Sequence, residues 1–140
     1  MSSERPQGWL HRYPVKVQFD EVDQYGIVHH TRYFIFFERA RVELMGLLGM
    51  RPDLHDGLGL VVVAANARFR ASARFLDDLT VEQGCSRAGA SRIELSYRIV
   101  RGHDVIVTAE LTLAFVGSDG KPCRAPANLR DGLSGMGVPG

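Results

Sequence analysis

The chain has 140 residues, a length that fits one domain with room for a buried core. Lys and Arg total 17 against 16 Asp and Glu, so a net charge of +1 argues against any general pull toward nucleic acid or an anionic membrane. Cys85 and Cys123 stand far apart, outside any CxxC pair or Cys/His cluster, which argues against a disulfide framework or structural zinc; both read as ordinary thiols.

The opening MSSERPQGWLHRYPVKV has no apolar run behind a basic end, and nowhere do about 18 apolar residues follow one another, so a cytoplasmic protein without a membrane span is expected. In YPVKVQF, Val15, Val17 and Phe19 alternate onto one face, which predicts a short strand. A polar loop follows. From Thr31 to about Leu48 only Gly46 interrupts a helical pattern, with Tyr33, Phe37, Ala40, Leu44 and Leu47 on one face. Phe34, Ile35 and Phe36 carry apolar surface round the other sides, so this helix should be wrapped by its neighbours.

GMRPDLHDGLG is rich in breakers, and the period then changes to two. Four strands are expected: about Leu60 to Phe69 or beyond, about Leu79 to Ser86, and two with clear alternation. One sets Ile93, Leu95, Tyr97 and Ile99 opposite Arg92, Glu94, Ser96 and Arg98. The other sets Val105, Val107, Ala109, Leu111, Leu113 and Phe115 opposite Ile106, Thr108, Glu110 and Thr112. RAGAS and RGHD fit hairpin turns, and GSDGK closes the last strand. Residues 1–128 form the expected single domain, and 129–140, ending in LSGMGVPG, a disordered tail. Strand, long helix and four mostly antiparallel strands make an α+β domain, one curved sheet around one central helix.

The loop before the helix, FDEVDQYGIVHHTRYF, gathers Asp20, Glu21, Asp23, Gly26, His29 and His30. A helix starting near Thr31 leaves its first N–H groups unpaired and its positive dipole end exposed, able to bind an anion or polarise a carbonyl. Gly26 permits a tight turn, and Asp23 lies close enough upstream to sit beside that helix end; a carboxylate next to an oxyanion site is the minimum equipment for acyl transfer or hydrolysis. The plainer alternative is a capping loop, with Asp or Thr bonded to the helix N–H groups and the histidines solvated. Asp20 and Glu21 read as solvated carboxylates, and Glu38 as a helix-surface group pairing with Arg41. Adjacent His29 and His30 lack a third ligand, so no metal is expected.

In RFRASAR, period two places Arg68, Arg70, Ser72 and Arg74 on one face of an extended segment, opposite Phe69, Ala71, Ala73 and Phe75. Such a basic stripe could receive phosphates, with Arg87, Arg92, Lys121 and Arg124 as further candidates; the alternative is a solvated outer face. The aromatics face away from the arginines, which removes a stacking platform for single-stranded nucleic acid.

Read as D-x-x-G-x-V-x-H-x-x-x-Y-x-x-x-x-E-x-A-R, the residues Asp23, Gly26, Val28, His30, Tyr33, Glu38, Ala40 and Arg41 resemble the opening of the YbgC and 4-hydroxybenzoyl-CoA thioesterase branch of the hotdog superfamily. ASARFLDDLTVE, SRIELSYRIVR and KPCRAP continue the likeness, over roughly residues 13–128. The resemblance implies a hotdog fold and hydrolysis of an acyl-CoA or acyl-carrier-protein thioester, without metal or redox cofactor. It implies that Asp23 is the nucleophile or general base, that His30 assists, and that backbone at Gly26, His30 and Thr31 holds the oxyanion. Arg68, Arg70 and Arg74 would meet coenzyme A. It also implies a homodimer, paired further into a tetramer. Phe19 stands where YbgC-like members usually carry Tyr, removing a hydroxyl, and Ser72 where Pro is common. Competing readings are a non-catalytic acyl-CoA-binding protein and a hotdog hydratase or dehydratase, for which no H-x-x-x-x-P-x-x-P-G run is found.

Overall fold

The computed structural model describes residues 5–51 and 57–140. In chain order the elements are β1 (His11–Lys16), a 3-10 turn (Phe19–Glu21), α1 (Arg32–Leu47), β2 (Leu58–Phe69), β3 (Asp78–Ala88), β4 (Arg92–Arg101), β5 (Asp104–Gly117) and α2 (Ala127–Ser134). The strands form one antiparallel sheet in the order β1-β3-β4-β5-β2, with β-bulges in the β2–β5, β3–β4 and β4–β5 pairings. A bulge increases local twist, which helps the sheet bend around the helix.

The helix carries Tyr33, Phe36, Phe37, Ala40, Leu44 and Met45 into the core. They meet Ile93, Leu95, Tyr97 and Ile99 of β4 and Val107, Ala109, Leu111, Leu113 and Phe115 of β5, all buried on the predicted faces. Leu47, expected among them, is 53% exposed because it is the last helical residue, and Phe36 and Met45 fill the stripe instead. Gly49, at φ +88°, turns the chain away after the helix. Part of the expected connection, residues 52–56, lies outside the described residues.

The helix sits off-centre. Its one flank reaches the β1 side, where Glu43 accepts from His11 Nε2 at 2.8 Å and Arg39 donates to Glu21 at 3.4 Å. On the other flank Arg41 reaches Tyr97 of β4, and Tyr33 packs on Phe69 at the end of β2. There the cover runs out: Val62 and Phe69, on the same face as buried Leu113 and Val107, remain 47% and 45% exposed.

Three expectations require correction. The first strand ends at Lys16, and Phe19 begins the 3-10 turn with its ring 77% exposed rather than buried beside Val15 and Val17. In β5, Val105 is only half-buried, while Ile106 is buried alongside Val107, although alternation placed it with the polar face. Its carbonyl accepts from both Arg70 and Ala71 N–H groups, so the chain leaving β2 folds against it.

The third concerns residues 129–140. In place of a disordered tail, α2 buries Leu129 and Leu133, and Met136 follows them into the core. Gly137 then lies between Trp9 and β3, donating to the Trp9 carbonyl at 2.9 Å and accepting from Cys85 N–H at 3.0 Å. Two leucines in eight residues give little periodicity, and a backbone-to-backbone strap leaves no apolar pattern to read.

Candidate active site

Asp23 closes a small loop on itself. Its Oδ1 accepts from Tyr25 N–H at 2.8 Å and Ile27 N–H at 3.4 Å, while its N–H donates to the Ile27 carbonyl at 2.9 Å. Gly26 N–H donates to the Asp23 carbonyl at 2.9 Å, and Gly26 takes φ +76°, a conformation costly for residues with a Cβ. Both side-chain bonds fall on Oδ1, so the exposed Oδ2 has no partner among the described residues.

The loop is clipped to the sheet. Val28 N–H donates to the Ala73 carbonyl at 2.8 Å, Ile27 bridges Arg74, and Phe75 N–H reaches the Gly26 carbonyl at 3.4 Å. The clip is in turn tied to α1, because Ala73 N–H donates to the Tyr33 hydroxyl at 3.0 Å. Burial pushes the Tyr33 hydroxyl above its ordinary pKa, against the opposing pull of the Ala73 N–H, so it stays neutral as an acceptor. Asp77 braces the far side, accepting from Arg74 N–H and Arg101 Nη1, each at 2.8 Å; Arg101 also donates to the Ser72 carbonyl at 3.0 Å. Partial burial would raise the Asp77 carboxyl, but the Arg101 and Arg74 hydrogen bonds and charges outweigh it and hold the carboxyl below the usual range.

At the start of α1 the Thr31 N–H donates to the His29 ring at Nδ1, 3.4 Å away. Thr31, the N-cap residue, already has helical dihedrals (φ −67°, ψ −24°) and makes no capping bond. Its hydroxyl turns to His29 Nδ1, 2.8 Å away. The capping-loop alternative, with Asp or Thr on the helix N–H groups, is therefore not what these residues do. His30 N–H has no acceptor among the described residues. The His30 ring lies between His29, at 4.4 Å, and the edge of Phe69, at 5.9 Å, and Phe69 packs on Tyr33 at 5.8 Å. The N-terminus of α1, the Asp23 loop and the end of β2 thus meet at the open mouth between α1 and β2.

The expected arginine stripe forms only in part: Arg68 and Arg70 share the outer face of the sheet, but β2 ends at Phe69, the Arg70 and Ala71 N–H groups both turn to Ile106, and Arg74 does not continue the row. Arg68 lies on the sheet's outer face beside Thr108, opposite the face that carries Phe69. Arg70 lines a cleft of about 350 Å³ with Ser96, Arg98 and Glu110. Arg74 alone of the three borders the Asp23 loop, through its bridge to Ile27.

Glu21 departs from its solvated reading. It is 4% exposed, accepting from Gln18 N–H at 2.7 Å and from Arg39, and so anchors the 3-10 turn before Asp23 to α1. Glu38 makes no ion pair with Arg41, which donates instead to the Tyr97 hydroxyl at 3.2 Å. The sequence shows Tyr33 as a helix-face and motif residue and Phe69 as part of a strand; the bond made by the hydroxyl of the one and the position of the other at a helix N-terminus are tertiary facts. No group of three or more His, Cys, Asp or Glu placed to hold a metal occurs among the described residues.

A long helix laid into an antiparallel sheet, with a carboxylate loop at its N-terminus, is the arrangement of the hotdog thioester hydrolases. The chain belongs to the Thioesterase-like superfamily, whose profile matches residues 17–133. It is 30% identical over 107 residues to the acyl-CoA thioesterase YbgC of Haemophilus influenzae, covering 74% of this chain and 79% of that one. The chloroplastic acyl-acyl carrier protein thioesterase ATL3 of Arabidopsis thaliana is 24% identical over 125 residues, 86% of this chain and 66% of that protein. Among solved structures, the dynemicin thioesterase superposes with a TM-score of 0.83 at 27% identity, covering 94% of this chain and 99% of that one. No described helix is long and apolar enough to cross a membrane.

Proposed function

We propose that the chain hydrolyses acyl-CoA thioesters to the free acid and thiol, with acyl-carrier-protein thioesters as the related second class, and that Asp23 is its catalytic carboxylate. The observation that carries this reading is the held carboxylate, one oxygen of which has no partner among the described residues, on a loop tied through Ala73 and Tyr33 to the start of α1, where the Thr31 side chain makes no capping bond. Oδ2 either attacks the thioester carbonyl, forming a mixed anhydride that water then opens, or takes a proton from the attacking water. In both routes the carbonyl oxygen becomes negative and is received by the His30 N–H and the dipole end of α1 at Thr31; Gly26 lets the loop approach the acyl group closely. The thiolate is a good leaving group, so one carboxylate with an oxyanion site suffices. Arg74, bordering the loop, is the nearest of the expected arginines to meet coenzyme A phosphates.

The chain works as a homodimer in this reading. β2 is a long edge strand with Val61, Val62 and Val63 each more than 40% exposed, a surface that pairs with a second copy unless something blocks it. That copy would roof the open mouth.

Thiol release from aliphatic and aromatic acyl-CoAs, compared between wild type and Asp23→Asn, tests the assignment. The amide retains an oxygen for Tyr25 and Ile27 N–H groups, so folding should survive while turnover falls by about 100-fold or more. Undiminished turnover would remove Asp23 from the chemistry, and tight binding without release from wild type would favour a binding protein. Single turnover in heavy-oxygen water separates the two routes, since label enters the Asp23 carboxylate only through the anhydride.

A further inference from the structure

The α1 flank that reaches Tyr97 of β4 carries a cation with no counter-charge among the described residues. Arg41 is half-buried, its Nη1 donates to the Tyr97 hydroxyl at 3.2 Å, and no carboxylate among the described residues lies within ion-pair distance of it. Glu38, on the same flank, is exposed and unpaired with it. Tyr97 is 2% exposed, and burial pushes its hydroxyl up to about 12, so at neutral pH it takes one of the guanidinium's donors and offers no negative charge.

Its bond to Tyr97 fixes where Arg41 stands along the sheet. Leu60, Val62, Ala65, Ala67 and Phe69 stand across from the inward residues of β5 and line the uncovered inner face of β2. In the sheet register Tyr97 pairs with Ala109, and Ala109 with Ala67, so Tyr97 stands in line with Ala67. Ala67 is two residues inside Phe69, roughly 7 Å along the strand. Phe69 touches His30 at the mouth, so a chain entering there comes level, at Ala67, with the residue whose hydroxyl holds Arg41.

We propose that Arg41 selects the acyl group by receiving a carboxylate at its far end, making the preferred substrates coenzyme A monothioesters of short dicarboxylic acids. This rests on the thioesterase reading with its mouth at Asp23 and His30. A carboxylate satisfies the guanidinium with two parallel hydrogen bonds and the missing charge. An alkyl chain of the same shape strips water from the cation and returns nothing, so the groove discriminates against it.

The test compares glutaryl- and adipyl-CoA with the branched alkanoyl-CoAs in which two methyl groups replace the carboxylate oxygens. It uses equilibrium binding to Asp23→Asn, which keeps the thioester intact, and kcat/KM for the wild-type enzyme. The carboxylated members should be preferred by about tenfold or more, and Arg41→Met should reduce that ratio to near one. Arg41→Lys keeps the charge but not the fork and should lower the ratio several-fold, which tests the proposal even if the Met variant folds poorly. A ratio near one in the wild type, or one unchanged by either substitution, overturns the proposal. So does weakened self-association of Arg41→Met with selectivity intact, because Arg41 would then pair with a second copy. A binding preference without thiol release from any thioester would reject hydrolysis and leave the Arg41 site standing; release without preference would reject this site alone.

Discussion

Removing the Tyr33 hydroxyl leaves the buried Ala73 N–H without an acceptor, so Tyr33→Phe should cost about 1–3 kcal/mol, read by denaturant titration. Because Ala73 also holds Val28, the same variant should lower thioester turnover more than it changes KM, a split that core packing alone would not produce. Asp77 gives a pH-dependent counterpart. Its folded-state pKa lies below the ordinary value, so its contribution is present above the usual carboxylate range and lost as pH falls through the folded value. Asp77→Asn should therefore lower stability at neutral pH by up to about 1 kcal/mol, the pair being partly exposed, and the gap from wild type should close below about pH 4 in thermal melts. Asp23 and His30 could be named from the motif, but the buried state of Glu21 could not: its partners Gln18 and Arg39 lie 3 and 18 residues away, and only the fold supplies the second.

At the scale of elements, period two was readable in β4 and β5 because one face of each meets the helix, and the side-chain pattern records that difference. β2 was read as a strand too, but its end was not, since the turn of Arg70 and Ala71 toward Ile106 is a backbone event. The terminal strap was invisible for the same reason, and it makes a sharp prediction. A Cβ on Gly84 would overlap the Gly137 carbonyl, and one on Gly137 would meet the Gly8 carbonyl oxygen at 2.6 Å. Gly84→Ala should displace the strap, costing about 1–3 kcal/mol. Trp9, the single tryptophan and a direct partner of Gly137, reports the event as a red-shifted emission; unchanged fluorescence and stability would show that the strap is not seated there in solution.

For the whole molecule, the two edges of the sheet differ. β1 is short and carries Arg12, Pro14 and Lys16, features that discourage strand addition, whereas β2 runs for 12 residues with an apolar centre. Val63→Lys should convert the proposed dimer to monomer in sedimentation velocity and, if the second copy roofs the mouth, lower turnover with it. A variant that stays dimeric would move the interface elsewhere. The exposed inner face of β2 is what links assembly to chemistry in this reading: the groove is open in one chain and needs a lid.

The amino-acid sequence alone determined the α+β class, the order of strands and helix, and the loop that carries Asp23, because each is written in local periodicity and in residue types adjacent along the chain. The tertiary structure alone decided which oxygen of Asp23 lacks a partner among the described residues, that Tyr33 ties the loop to the sheet, that Arg74 parts company with Arg68 and Arg70, and that Arg41 meets the Tyr97 hydroxyl in place of Glu38. These depend on where separate elements meet, and hydrogen bonds between backbones far apart in the chain leave no trace in side-chain pattern.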